Sequence, residues 1–261
     1  MSYQFLTIRR EGAVEYLTLN RPDVRNAFNE RVIAELADWA RGATEDDGLR
    51  AVVVSGAGKV FSAGADAEWM ARMAGYSQQE NLEDATKAAS MFRAINNLSC
   101  AVIGRIHGAA LGGGSGLAAV CDIVVSSDTA IYGFTETKLG ILPAMISPFV
   151  LPKIGMSAAR ELFVTGMRFS AARAREIGLV HAVVPEAQLD ETVQRYVDEV
   201  LSAAPTAVAA AKRLLPQVWG QRPEEVAALT AAAIAEQRVS AEGQEGLRAF
   251  LEKRKPGWAT Q

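Results

Sequence analysis

The segment Ala51-Val52-Val53-Val54, closed by Ser55-Gly56-Ala57-Gly58, constrains the fold more than any other stretch of the chain. A short apolar run without alternation, ended by turn residues, reads as a buried strand. Around it the same rhythm recurs. Residues 3–8 and 13–19, on either side of Glu11-Gly12, read as a hairpin. Asn29 is placed to cap a helix carrying Val32, Leu36, Trp39 and Ala43 on one stripe. Ser77-Gln78-Gln79-Glu80 has the capping-box pattern and continues as a stripe of Leu82, Ala85, Ala89 and Phe92. Residues 102–106 and 123–125 are two more short strands. Strand, turn and helix alternate, so the first half is an α/β body.

From about Ser157 the pattern turns helical. Ser170 starts a helix that Gly178 stops, residues 180–184 form a last strand, and Leu189, Val193, Tyr196 and Val200 make a further stripe. Helices are expected after Pro205, Pro223 and Ser240. No hydrophilic linker intervenes, so the expectation is one structural domain: a core over residues 1–195 and a helical layer over 196–261 packed on it.

Charge and composition narrow the function. With 27 Lys+Arg against 30 Asp+Glu, the net charge of −3 gives no basic face for nucleic acid or an anionic membrane. The only cysteines and histidines are Cys100, Cys121, His107 and His181, none at metal-ligand spacing, so no metal site is expected. The N-terminal residues alternate polar and apolar, and no apolar run is long enough for a bilayer; a cytoplasmic protein is expected. Gly56-Ala57-Gly58-Lys59 fails the nucleotide fingerprints, because Phe61 stands where a third glycine is needed and Val60 where a P-loop carries Ser or Thr.

Two other segments carry more. Phe61-Ser62-Ala63-Gly64-Ala65-Asp66 and Leu111-Gly112-Gly113-Gly114-Ser115-Gly116 each place small residues before an expected helix start. Free backbone N–H groups there can hold a developing oxyanion, and small side chains let a substrate reach the backbone. Either segment alone reads as a close-packing turn.

Together, with Leu19-Asn20-Arg21-Pro22, Asn26-Ala27, Cys121-Asp122, Glu136, Leu139-Gly140 and the tail Phe250-Leu251-Glu252-Lys253-Arg254, they resemble the enoyl-CoA hydratase/isomerase (crotonase) family over essentially the whole length. The resemblance implies the ClpP/crotonase fold, a spiral of β-β-α units with a C-terminal helical layer that trimerises. It implies an acyl-CoA thioester as substrate, coenzyme A being part of that substrate, and no other cofactor. A homotrimer or a dimer of trimers is implied, with Phe250 and Lys253 near a neighbouring subunit's CoA site.

On the same resemblance, Ala65 and Gly113 supply the N–H pair that stabilises the thioester enolate. Ala63, Asp66, Ala67, Glu68 and Gly112 line the pantetheine and thioester. Arg25 is either a contact for CoA phosphates or a solvated surface charge. Hydratases with two catalytic glutamates carry the first at the position of Gly116, which can do no proton chemistry, and the second at Glu136. A glutamate among apolar residues should have a raised pKa, as acid/base work requires. Trp69-Met70, Ala74-Gly75-Tyr76-Ser77 and the run from Pro143 to Val150 resemble the bacterial methylglutaconyl-CoA hydratase branch. The expected reaction is hydration of an α,β-unsaturated acyl-CoA. The rivals are a Δ3,Δ2-enoyl-CoA isomerase using the single glutamate and a catalytically silent acyl-CoA-binding protein. A distal substrate carboxylate would want a cation, for which Arg72 and Lys138 are nearest in sequence.

Overall fold

A computed structural model describes residues 3–259. The chain opens with β1 (Leu6–Glu11) and β2 (Val14–Leu19), an antiparallel pair in which Glu11 faces Val14. The first strand lies later than the expected 3–8, because the two-residue turn begins at Gly12, whose φ of +57° closes the hairpin at that point. Helix α1 (Glu30–Thr44) starts where the Asn29 side chain accepts from the N–H groups of Arg31 and Val32, and its expected stripe is buried throughout. Strand β3 (Ala51–Gly56) runs parallel to β2. Val52 and Val54 belong to one core cluster and Ala51 and Val53 to another, so the strand is covered on both faces.

Two helices follow, α2 (Ala67–Met73) and α3 (Gln78–Asn96), the latter with the expected Ser77–Glu80 capping box. The apolar stripe of α3 is rotated from the expected one: Ala88, Met91, Phe92 and Ile95 are buried, while Leu82 is 60% exposed. Then come β4 (Ala101–Ile106), β5 (Ala109–Leu111), α4 (Gly113–Val120), β6 (Ile123–Ser127) and β7 (Ile131–Gly133). Helix α5 (Ser147–Thr165) begins well before Ser157 and is broken by a non-helical Gly155. Strand β8 (Arg168–Ser170), α6 (Ala171–Glu176), β9 (Ala182–Val184) and α7 (Leu189–Ser202) complete the body.

The strands form a six-stranded sheet in the order β1-β2-β3-β4-β6-β9, parallel after the opening hairpin, and a three-stranded sheet in the order β5-β7-β8. The small sheet escapes sequence reading, because its three-residue strands are too short to show a period. On one face of the large sheet lie α1, α3, α4 and α5 with the larger core; on the other, Leu189, Val193 and Val197 of α7 pack on β3, β4 and β6. The expected boundary at residues 195/196 therefore falls inside α7, a continuous helix seated on the sheet. The part that stands off the core is α8 (Pro205–Val218), α9 (Pro223–Val239) and α10 (Ala241–Leu251), in which Ala249 alone is buried.

Candidate active site

Helix α4 is apolar nearly all round and buried, and it starts beside the segment over residues 61–66. Ser62 N–H donates to Ala109 O and Leu111 N–H donates to Ser62 O, which lays that segment along β5. On its other side Phe28 N–H donates to Gly64 O and Asp66 N–H donates to Phe28 O. With Gly64 and Asp66 both turned to Phe28, the intervening Ala65 presents its N–H the opposite way. Gly64 has φ +94°, and a Cβ there would stand 2.8 Å from Leu111 O, so the two loops pack backbone to backbone.

Gly112 N–H is taken by Gly133 O at 2.8 Å, whereas Gly113, the first residue of α4, has no earlier turn to donate to. Neither Ala65 N–H nor Gly113 N–H has a partner among the described residues. Both residues line one cavity of about 250 Å³. Two unspent donors on residues lining one cavity can together hold an anion, and the start of α4 adds its positive dipole end.

Glu136 faces the same cavity. Strand β7 pairs with β5 and receives Gly112 through Gly133, so a 3₁₀ turn starting three residues later brings the carboxylate alongside. A Cβ on Gly112 would lie 3.3 Å from Glu136 Oε1. Its other oxygen, Oε2, is buried and has no hydrogen-bond partner among the described residues. Burial among apolar groups raises the Glu136 pKa, opposed only by its own backbone N–H. A carboxylate so placed accepts protons more readily than an ordinary one and has a lone pair free for a ligand.

The position of Gly116 is filled from outside. A Cβ there would sit 2.2 Å from Ile146 Cγ2 and 3.3 Å from Phe92 Cε1. Ile146 and Phe92 are each 2% exposed, so neither has room to withdraw. This wall allows no second carboxylate from α4.

The other expected site residues are spread more widely. Ala63, Ala65, Gly112 and Gly113 line the cavity with Glu136. Asp66 does not. Its carboxylate caps α2 by accepting from the N–H groups of Glu68 and Trp69, and it pairs with Arg21 at 3.0 Å. Burial would raise its pKa, but the Trp69 N–H, Arg21 and the Glu68 N–H outweigh burial and lower it. Ala67 and Glu68 occupy the exposed first turn of α2, outside the cavity. Arg25 is exposed at φ +55°; its carbonyl accepts from Ala63 N–H, and its guanidinium has no partner among the described residues. Phe250, 81% exposed in the last turn of α10, and Lys253, two residues past its end, are not among the residues lining this chain's own cavity.

The remaining cavity wall comes from α2, α3 and residues 139–146, with Trp69, Met70, Met73, Met91 and Met145 prominent. Asn81 and Asp84 face it from α3 and were missed from sequence, although they continue the buried stripe at helical spacing. Burial raises the Cys121 thiol to about 12, which makes it inert packing. His107 Nε2 is bonded to Gly58 O, and His181 Nδ1 accepts from Val124 N–H.

Known proteins share this arrangement of the chain. The profile of the enoyl-CoA hydratase/isomerase family matches residues 9–261. The short-chain-enoyl-CoA hydratase of Clostridium acetobutylicum is 33% identical, covering 98% of this chain and 97% of that one. A solved enoyl-CoA hydratase from Shewanella pealeana superposes with a TM-score of 0.94 at 36% identity, over 98% of this chain and 96% of its own. A Legionella pneumophila structure of the enoyl-CoA hydratase/isomerase (crotonase) type gives 0.92 at 41% identity, over 98% and 100%. In fold and in sequence, the chain belongs to the enoyl-CoA hydratase/isomerase family.

Proposed function

We propose that the protein hydrates an α,β-unsaturated acyl-CoA with Glu136 as its one acid/base residue. The observation that carries this is the buried, unpartnered Oε2 of Glu136 in a cavity that also holds two free backbone N–H groups. The Glu136 carboxylate takes a proton from water as the water oxygen bonds to C3. The electron pair of the C2=C3 bond moves toward the thioester, whose oxygen is held by Ala65 and Gly113 N–H. Glu136 then returns its proton to C2, leaving a 3-hydroxyacyl-CoA and the starting carboxylate. Only the two N–H groups and one carboxylate are needed, so no cofactor enters this scheme. Ala63 and Gly112 would shape the thioester site, and the exposed Arg25, whose carbonyl accepts from Ala63 N–H, would meet the CoA phosphates.

The geometry favours an uncharged acyl group over a methylglutaconyl-like one. The charged side chains lining the cavity are Glu136 and Asp84, both acidic. Arg72 is paired with Glu30 at 2.8 Å on the surface, and Lys138 is not among the cavity residues. One observation favours a second reaction: with Ile146 filling the place of a second carboxylate, Glu136 alone could also move a proton from C2 to C4 of a 3-enoyl-CoA.

The deciding experiment uses 2-enoyl-CoA and 3-enoyl-CoA of matched length in ¹⁸O-water. Hydration puts ¹⁸O into a 3-hydroxyacyl product; isomerisation moves the double bond and incorporates none. Glu136→Gln should lower turnover by roughly 10²–10⁴ with little change in acyl-CoA affinity. Near-normal hydration in that variant would overturn the assignment.

We also propose a homotrimer or a dimer of trimers. Leu215 on α8, Trp219 just past its end, and Phe250 and Leu251 on α10 are each at least 65% exposed, more apolar surface than a solitary helical layer normally shows water. Phe250 and Lys253 would then reach a CoA site across a subunit boundary. Sedimentation velocity showing a stable monomer at micromolar concentration would refute this.

A further inference from the structure

The acyl cavity is apolar along most of its length, yet it carries a polar pair on α2 and α3. Trp69 is 4% exposed, and its Nε1 is buried with no hydrogen-bond partner among the described residues. Asp84 faces the same cavity from α3. Burial raises the Asp84 pKa, and the nearby indole N–H of Trp69 and the Lys87 ammonium oppose that shift without cancelling it. Asn81, the next polar group along the helix, has its amide N–H groups spent on the carbonyls of Tyr76 and Ser77.

The position of the pair follows from helix geometry. Phe92 of α3 stands over the start of α4, where a Cβ on Gly116 would touch its ring. Asp84 lies toward the N-terminus of α3, about 12 Å from Phe92 along the axis. Between them the wall is Ala85, Ala88 and Met91. An acyl chain extending from the thioester along α3 thus crosses an apolar stretch before meeting one donor and one acceptor side by side.

Resting on the acyl-CoA reading of the cavity, we propose that Trp69 and Asp84 form a specificity subsite for a neutral hydroxyl group carried on the acyl chain far from the thioester. A hydroxyl can accept from Trp69 Nε1 while donating to Asp84, satisfying both at once. A methyl terminus offers neither group a hydrogen-bond partner, and a carboxylate has no hydrogen to donate to Asp84. An ammonium group would satisfy Asp84 but set one donor against the other at Trp69.

The test measures binding, so it does not depend on which reaction the enzyme performs. Saturated acyl-CoAs of eight to twelve carbons serve as non-reacting probes in calorimetric titrations of the full-length protein, each chain bearing a terminal methyl, hydroxyl, amine or carboxylate. At the best-fitting length the hydroxyl compound should bind about fivefold to tenfold tighter than its methyl counterpart, and tighter than the amine and the carboxylate. Trp69→Phe keeps the ring and removes the donor, and Asp84→Asn removes the charge; each should bring the hydroxyl-to-methyl ratio toward one. Absence of acyl-CoA binding altogether would remove the reading of the site itself. Binding with no hydroxyl preference at any length, a preference for the amine or carboxylate, or a ratio unchanged in both variants would overturn the subsite alone.

Discussion

Gly116→Ala is the substitution on which two ordinary rules disagree, and the structure decides between them. Residue 116 lies inside α4, where replacing Gly by Ala should stabilise by about 1 kcal/mol through helix propensity. Against this, the new methyl would sit 2.2 Å from Ile146 Cγ2, 3.0 Å from Ile146 Cβ and 3.3 Å from Phe92 Cε1. Both neighbours are buried, so relief requires off-rotamer side chains or a shift of α4, and overpacking of this kind costs about 1–3 kcal/mol. A 2.2 Å contact belongs at the upper end of that range. The net expectation is destabilisation by about 2 kcal/mol, read as a lower urea midpoint at unchanged m-value. Because Ile146 lines the acyl cavity, its displacement should also raise KM. Ile146→Ala alone should cost about 2–5 kcal/mol. Combined with Gly116→Ala, the loss should fall short of the sum by 1 kcal/mol or more, since the second change removes the clash created by the first. A stabilised Gly116→Ala, or strict additivity of the pair, would refute the reasoning.

Glu136→Gln should be more stable than wild type at neutral pH. The folded-state pKa of Glu136 is raised, so its contribution is fully present below the ordinary carboxylate range and is lost as pH rises through the raised value. The difference in Tm should therefore open with increasing pH and vanish in acid. For the same reason kcat/KM for hydration should have an acid limb above the usual glutamate range. Asp66→Ala should cost about 1–2 kcal/mol as a lost cap, with a further loss from stranding Arg21, and should lower turnover by loosening the Ala65 segment. Since the Asp66 pKa is lowered, its contribution is present above the ordinary aspartate range and lost as pH falls through the depressed value; Asp66→Asn should flatten that acid-side loss in urea denaturation.

The parts of the site legible from sequence were those set by local chemistry. Helix starts at Asn29, Ser77 and Ser170 announce themselves through capping side chains, and the structure uses each of them. The small residues around Ala65 and Gly113 mark places where backbone must come close to something, whatever it is. What escaped depends on partners distant in sequence. Nothing within α4 shows that Ile146 occupies the space beside Gly116. Asp66 looks like a residue for a substrate until Arg21 and the start of α2 are seen to consume its lone pairs. On α3 the apolar stripe points to Leu82, which is exposed, while the polar Asn81 and Asp84 beside it line the cavity together with Ala85 and Phe92. There the capping turn and the cavity, rather than the sequence stripe, decide which side faces in.

The backbone-to-backbone contact of the two loops divides the site into a half that is fixed and a half that is open to change. A side chain at Gly64 would strike Leu111 O at 2.8 Å, and one at Gly114 would strike Ser62 O at the same distance. Main chain cannot be trimmed by mutation, so no compensating substitution exists for either glycine. The obstruction at Gly116 is the side chain of Ile146, which a single codon change can shorten. A lineage descending from this protein could therefore gain or lose proton-transfer groups along the acyl wall in paired steps while the enolate-binding half stayed constant. A library for new acyl-CoA chemistry would best leave residues 62–65 and 111–114 alone and vary 84, 116 and 146 together.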